Sequence, residues 1–302
     1  MSNSVQIFPF TKLCWRSKEI EDKWEPLRGR IYNCVNFAEY EMVKRGYRKC
    51  DVYDFGPQNI MTRLKKPTVD GLYYLPMLIS KTYGGYGHRH YVTKDFEKDT
   101  FIYGVVSNSL EDAITFHDAG VTDIKERIRD YSNAWRIPFD FEDAVGHPLN
   151  PNGIDHDVTG YLLGYPACDR DFFNKTWLKD GCLDPMYEMA MNTNNNEHNG
   201  NTVKVLGNPM LNRLARYWGL NIIPFFPHSF DCIKAGDFAD TFFNLMRERD
   251  EEAADACLEM LSMPMKWSML NAVTILEHPL FFGSANGYYR TEKVVVEWFP
   301  ND

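Results

Sequence analysis

Apolar residues Ile31, Val35, Ala38, Met42 and Val43 recur at three- and four-residue spacing, which predicts a long helix with Gly46 as its stop. Before it, VQIFPF (5–10) is a short strand candidate. The helical period is lost over residues 51–100, where Gly, Tyr and Pro accumulate and the pattern reads as loop and strand. TFIYGVVS (100–107) is a buried strand candidate. NSLEDAITFHDAG follows as a helix: Ser109 caps it, Asp112 stands three residues on, Leu110, Ala113, Ile114 and His117 share a face, and Gly120 closes it. A charged helix, DIKERIRDYSNAW, leads into a loop containing Pro138, Pro148, Pro151 and Gly153, a candidate boundary.

In the second half, NTNNNEHNGNT (192–202) is a polar low-complexity loop. NPMLNRLARYWG reads as a helix capped by Asn208, opened by Pro209 and ended by Gly219. GDFADTFFNLMRER places Phe238, Thr241, Phe242, Leu245 and Met246 at core spacing, and EEAADACLEML is a further helix. Near the C-terminus, WSMLNAVTILEH and TEKVVVEWF read as two strands joined across GSANGYY. The expected class is α+β, helix-predominant, with a small mixed sheet and a C-terminal β-hairpin. The expected division is an N-terminal helix and Gly/Tyr-rich loop region over 1–99 and an α+β core over 100–302, or one continuous domain.

Composition narrows the function classes. The 302 residues are 44% hydrophobic, 25% charged and 15% aromatic, enough to bury a sizeable core. Lys plus Arg is 33 against 42 Asp plus Glu, a net charge of −9, which disfavours non-specific binding to nucleic acid. The seven Cys are irregularly spaced, unlike a secreted disulfide framework, so a reducing, cytoplasmic setting is expected. No run approaches 18 apolar residues and MSNSVQIFPF lacks signal-peptide character, so neither a membrane span nor a leader is expected.

Two stretches share a design that invites chemistry. GYLLGYPACDRDFFNKTW (160–177) and NIIPFFPHSFDCIKAGDF (221–238) each run from a short apolar strand candidate (160–165 and 221–226) through Pro to a Cys near a helix start. There the free N–H groups and the helix dipole favour a thiolate. Asp169 and Asp171 flank Cys168; His228 and Asp231 precede Cys232. One candidate site joins Cys168, Cys232 and His228 around a zinc or iron ion, with Asp169 or another His as fourth ligand. The catalytic candidates are Cys168, Cys232 and Asp169. The alternative is that both Cys are small buried hydrophobes.

KTYGGYGHRHYVTK (81–94) gathers Lys81, Tyr86, His88, Arg89 and His90 in an acidic chain. Its Gly residues admit close approach and its Tyr residues offer stacking faces, so it is a candidate substrate-binding loop for a phosphate, a nucleotide or a single strand. His88 and His90 are also possible metal ligands. Asp155, His156 and Asp157 form a weaker metal candidate that reads more naturally as a turn. Cys182, in the turn KDGCLDP, reads as incidental, with completion of a thiolate site near Cys168 as the alternative. Arg213 and Arg216 can meet an anionic substrate, surface pairing being the simpler reading. Met186, Met189 and Met191 read as core filler or helix surface.

The residues LGYPACDRDFF, FFPHSFDC and LSMPMKW resemble a family of uncharacterised proteins with Gly-Tyr-Pro-x-Cys-Cys and Pro-Cys-Ser-x-x-Cys motifs, over roughly residues 100–299. Asp169 stands where the first motif has its second Cys, and His228 where the second motif has its first. Such exchanges retain metal-ligand chemistry while hardening the site, and equally fit loss of a cluster. The resemblance implies no activity. Two readings remain: an enzyme with a Cys/His metal or thiolate site acting on a small anionic or nucleobase-containing molecule, or a nucleotide or single-stranded nucleic-acid binder with structural cysteines.

Overall fold

The computed structural model describes residues 11–54, 72–80, 101–116, 156–180, 184–271, 273–286 and 290–301. In order these form β1 (Thr11–Trp15), α1 (Lys18–Lys44), β2 (Cys50–Asp54), β3 (Tyr73–Ser80), β4 (Phe101–Ser107), helix α2 through 110–116, α3 (His156–Leu162), α4 (Ala167–Asp180) and α5 (Met186–Asn192). There follow β5 (Asn196–Asn199), β6 (Thr202–Gly207), two 3-10 turns at Pro209–Leu211 and Arg216–Trp218, α6 (Ile233–Arg249), α7 (Glu251–Leu261), β7 (Met265–Leu270), β8 (Val273–Glu277), β9 (Phe281–Asn286) and β10 (Val294–Pro300). The class is α+β. The chain divides into two compact units, residues 1–39 with 166–302, and residues 40–165. The strand candidate VQIFPF and the charged helix DIKERIRDYSNAW lie outside the described residues.

The first unit is built on a seven-stranded mixed sheet of order β1-β9-β8-β7-β10-β6-β5. Only β10 and β6 run parallel; the other pairs are antiparallel. Register aligns Val203, Val296, Trp267, Leu276, Gly283 and Leu13 in one row across six strands. Side chains alternate faces along a strand, so this row and its period-two neighbours Val205, Met265, Met269, Thr274 and Trp298 form the inner face, and all five neighbours are buried. Gly283 is required there: a Cβ would lie 2.3 Å from the indole of Trp218.

The sheet is larger than the two C-terminal strands anticipated. WSMLNAVTILEH is two strands, because Asn271 takes a left-handed φ of 48° and reverses the chain between β7 and β8. GSANGYY contributes to β9 instead of serving as a linker. The last strand still pairs antiparallel with β7, although β8 and β9 intervene in sequence.

Helices α6 and α7 carry the predicted apolar faces. The first buries Phe242, Leu245 and Met246, the second Ala253, Cys257, Met260 and Leu261. Asp250 caps α7 by accepting the Ala253 N–H at 3.1 Å, and holds the Arg30 guanidinium through both oxygens at 2.7 Å. His278 is buried behind this helix end, its Nε2–H donating to the Met260 carbonyl (3.0 Å) and its Nδ1 accepting the Leu280 N–H (3.1 Å). Burial holds its pKa down at about 4, and Arg16 nearby adds to that.

The second unit is a three-stranded antiparallel sheet, β2-β4-β3. Val43, Leu72 and Val106 form one apolar cluster, and Cys50, Ala113, Phe116 and Leu162 another. Ser109 caps α2 as the sequence implied, accepting the Asp112 N–H at 3.3 Å. Gly46 follows α1 with φ 76°.

Three expected elements take other forms. The apolar run before Pro166 is helix α3, with Val158 and Leu162 on one face against the Cys50 cluster; a run this short does not distinguish the two periods. Residues 221–226 join no sheet, because Pro224 and Pro227 lack the N–H groups a ladder needs. NPMLNRLARYWG keeps its predicted ends, with Asn208 accepting the Met210 N–H and Gly219 at φ 79°, but Asn212 interrupts it by taking the Leu214 N–H on its side chain.

Candidate metal centre

The centre lies within the first unit, where the N-terminus of α4 meets the segment entering α6. Pro166 precedes α4, and its carbonyl accepts the N–H groups of Asp169 and Arg170 at 3.0 Å. This puts Cys168 and Asp169 in the first helical turn. Cys232 is the N-cap of α6, its sulfur accepting the Ala235 N–H at 3.4 Å. His228 is four residues earlier, outside the helix.

Cys168, Asp169, His228 and Cys232 form a cluster whose ligand atoms all lie within 4.8 Å of one another, and it can hold a metal ion. The two sulfurs are 3.9 Å apart. Two thiolates on one tetrahedral zinc, at Zn–S of about 2.3 Å, sit about 3.8 Å apart, so the pair needs little adjustment. The Cys232 thiol also points at Asp169 Oδ2, 3.9 Å away. Asp169 Oδ1 accepts two bonds from His228, one from the backbone N–H and one from ring Nδ1, each 2.7 Å. A carboxylate only accepts, so Nδ1 carries the proton of this bond, which leaves Nε2 as the nitrogen available to a metal ion. Asp169 and Cys232 are 2% and 6% exposed, while Cys168 and His228 are half-buried, so the cluster has one closed and one open side.

The electrostatics differ from the expectation of an activated thiolate. Burial pushes the Cys232 thiol up to about 12; the Ala235 N–H pulls the other way, and Asp169 and Cys168 reinforce the rise. Desolvation outweighs the helix terminus here. Without a cation, the free Cys232 is a neutral thiol beside a buried carboxylate.

The loop holding His228 and Cys232 is gripped by three consecutive residues at the end of α5. Asn192 Nδ2 donates to the His228 carbonyl (3.1 Å), Thr193 Oγ1 accepts the Phe230 N–H (3.0 Å), and Asn194 donates to Asp231 Oδ2 through its backbone N–H (2.9 Å) and Nδ2 (2.8 Å). On the other side the Phe230 carbonyl accepts the Asn208 N–H at 2.8 Å, and its ring base packs on Gly207, where a Cβ would lie 2.6 Å from Phe230 Cβ. Phe230 is fully buried, so it pins the loop between α5 and β6.

No family model, no curated protein and no solved structure matches the chain.

No motif in the sequence marks this grip. NTNNNEHNGNT reads as a mobile loop by composition, whereas Asn196–Asn199 and Thr202–Gly207 pair as a hairpin whose turn carries Gly200 at φ 58°. Gly200-Asn201, a two-residue turn with Gly first, is the signal in the sequence. Arg213 and Arg216 are buried and serve the fold, correcting their reading as anion contacts or surface pairs. Arg216 pairs with buried Asp184 at 2.6 Å, and Arg213 donates to the Ile223 carbonyl in the irregular 221–226 segment. Met186 and Met189 are core, and Met191 is exposed. The substrate-binding candidates Lys81, Tyr86, His88, Arg89 and His90 lie outside the described residues, as do Cys182, His117 and Asp155. His156 opens α3 and Asp157 is exposed in its first turn, so that stretch is helical and not a plain turn.

Proposed function

We propose that the chain is a metal-dependent enzyme whose ion is held by Cys168, His228 and Cys232, with Asp169 against them. The observation that carries this reading is the 3.9 Å separation of two sulfurs from distant parts of the sequence, beside an imidazole and a buried carboxylate. A buried Asp169 next to two thiols is costly without a positive partner, and a divalent ion supplies one while stabilising both thiolates. Two sulfurs with one imidazole nitrogen suit tetrahedral zinc best, with iron the runner-up. The half-exposed Cys168 and His228 give the ion a side that a small molecule can reach. The substrate class is a small anionic or nucleobase-containing molecule.

Metal analysis of the purified full chain tests the reading. One zinc or iron per chain is expected, falling well below one in Cys168→Ser, Cys232→Ser and His228→Ala. If no transition metal binds and a nucleotide or single strand still does, the cysteines are structural and the chain is a binding protein.

A further inference from the structure

We infer that Asp169 positions His228 instead of ligating the ion, leaving one coordination place for a neutral nitrogen or oxygen donor from outside the protein, such as a heterocyclic nitrogen. The inference rests on the metal reading above and specifies what that site takes.

The geometry commits Asp169 Oδ1 to His228 and leaves Oδ2, 3.9 Å from Cys232 Sγ, as the carboxylate oxygen whose place at the ion is at issue. Two ligand atoms on one tetrahedral zinc, at about 2.0–2.2 Å each, stand about 3.4 Å apart. Asp169 Oδ1 and His228 Nδ1 are 2.7 Å apart, a direct charge-assisted hydrogen bond. The same Oδ1 accepts the His228 backbone N–H at 2.7 Å, so one oxygen fixes both the ring and the main chain of the residue. With Nδ1 engaged, Nε2 is the nitrogen left to ligate an ion. A carboxylate bonded to the far nitrogen of a ligating imidazole is a recurrent arrangement that sets the tautomer and strengthens the donor. Three protein ligands then remain, and zinc sites with three protein ligands keep a place for solvent or substrate. The exposed edges of Cys168 and His228 put that place on the open side.

Charge selects the occupant. A divalent ion with two thiolates and a neutral imidazole is neutral, and Asp169 adds one negative charge. An anion must approach against that charge in a partly desolvated site, whereas a neutral donor does not. This narrows the substrate class from anionic or nucleobase-containing to the neutral heterocyclic kind.

The test uses the full chain loaded with Co²⁺, read by its visible absorption, with imidazole and azide as probes. Imidazole is expected to shift the cobalt bands saturably while azide at equal concentration leaves them unchanged. Asp169→Asn keeps an oxygen to accept from Nδ1–H, so it should retain one cobalt per chain with affinity reduced about 10–100-fold. Asp169→Ala should lose more, with circular dichroism confirming that both variants fold. A wild type silent to imidazole, together with an Asp169→Asn variant that responds, makes Asp169 the fourth ligand and overturns the inference. Azide shifting the bands as readily as imidazole overturns its charge argument. Failure of the chain to take up cobalt at all overturns the metal reading beneath it.

Discussion

Cys232 and Cys257 are both buried thiols pushed up to about 12 by desolvation, yet their surroundings assign them different work. Cys257 sits fully buried within α7. Cys257→Ser buries a hydroxyl in that core and is expected to cost roughly 1–3 kcal/mol in chemical denaturation, with metal content unchanged. Cys232 is an N-cap, where Ser is a preferred residue. Cys232→Ser should therefore leave the denaturation midpoint of the metal-free protein within experimental error of metal-free wild type, and abolish metal binding. The reverse pattern would return Cys232 to the role of core filler. His278 supplies a pH dependence of known sign. Its pKa is about 4 in the fold against 6.5 in the unfolded chain, so the fold holds it neutral. Its contribution is intact above about pH 6.5 and is lost as pH falls towards 4, on the order of 3 kcal/mol in all. His278→Gln, which can keep both hydrogen bonds, should flatten the loss of stability between pH 7 and pH 4.5. An unchanged slope would mean that another group dominates.

At the scale of elements, the site depends on a segment with no regular structure. Residues 221–232 are held by side-chain bonds from Arg213, Asn192 and Asn194 and by the packing of Phe230 on Gly207. Gly207→Ala must displace Phe230; it should cost about 1–3 kcal/mol and also weaken metal affinity, although β6 is not part of the site. A variant destabilised by that amount whose affinity is unchanged would show that the loop is fixed by α5 alone. This dependence explains what the sequence could reveal. The long helices α1, α6 and α7 have sustained periodicity and clear caps, so patterning identifies them. Cys168, His228 and Cys232 stand out because reactive side chains are rare next to Pro and a helix start. The short apolar runs at 160–165 and 221–226 mislead, since four to six residues fit either period and Pro vetoes a ladder only once the strand's neighbours are known. The grip by Asn192, Thr193 and Asn194 is invisible in sequence because it is made of long-range hydrogen bonds. Composition alone makes the same residues look like an unstructured tract.

At the scale of the whole molecule, metal and fold are linked in the unit formed by residues 1–39 and 166–302. An ion that binds only the folded unit stabilises it by about 4 kcal/mol at a free concentration ~1,000 times its Kd. Adding Zn²⁺ to stripped protein should raise the midpoint of that unit's transition, and a chelator should reverse the gain; a transition indifferent to both would mean that the cluster forms without an ion. None of the described helices is long and apolar enough to cross a membrane. The most direct measurement is equilibrium dialysis of the full chain against Zn²⁺ with elemental analysis, run in parallel on wild type, Cys168→Ser, Cys232→Ser and His228→Ala. The account predicts one tightly held ion per wild-type chain and its loss in all three variants while each stays folded. Retention of the ion in the variants, or no tightly held ion in the wild type, would contradict it.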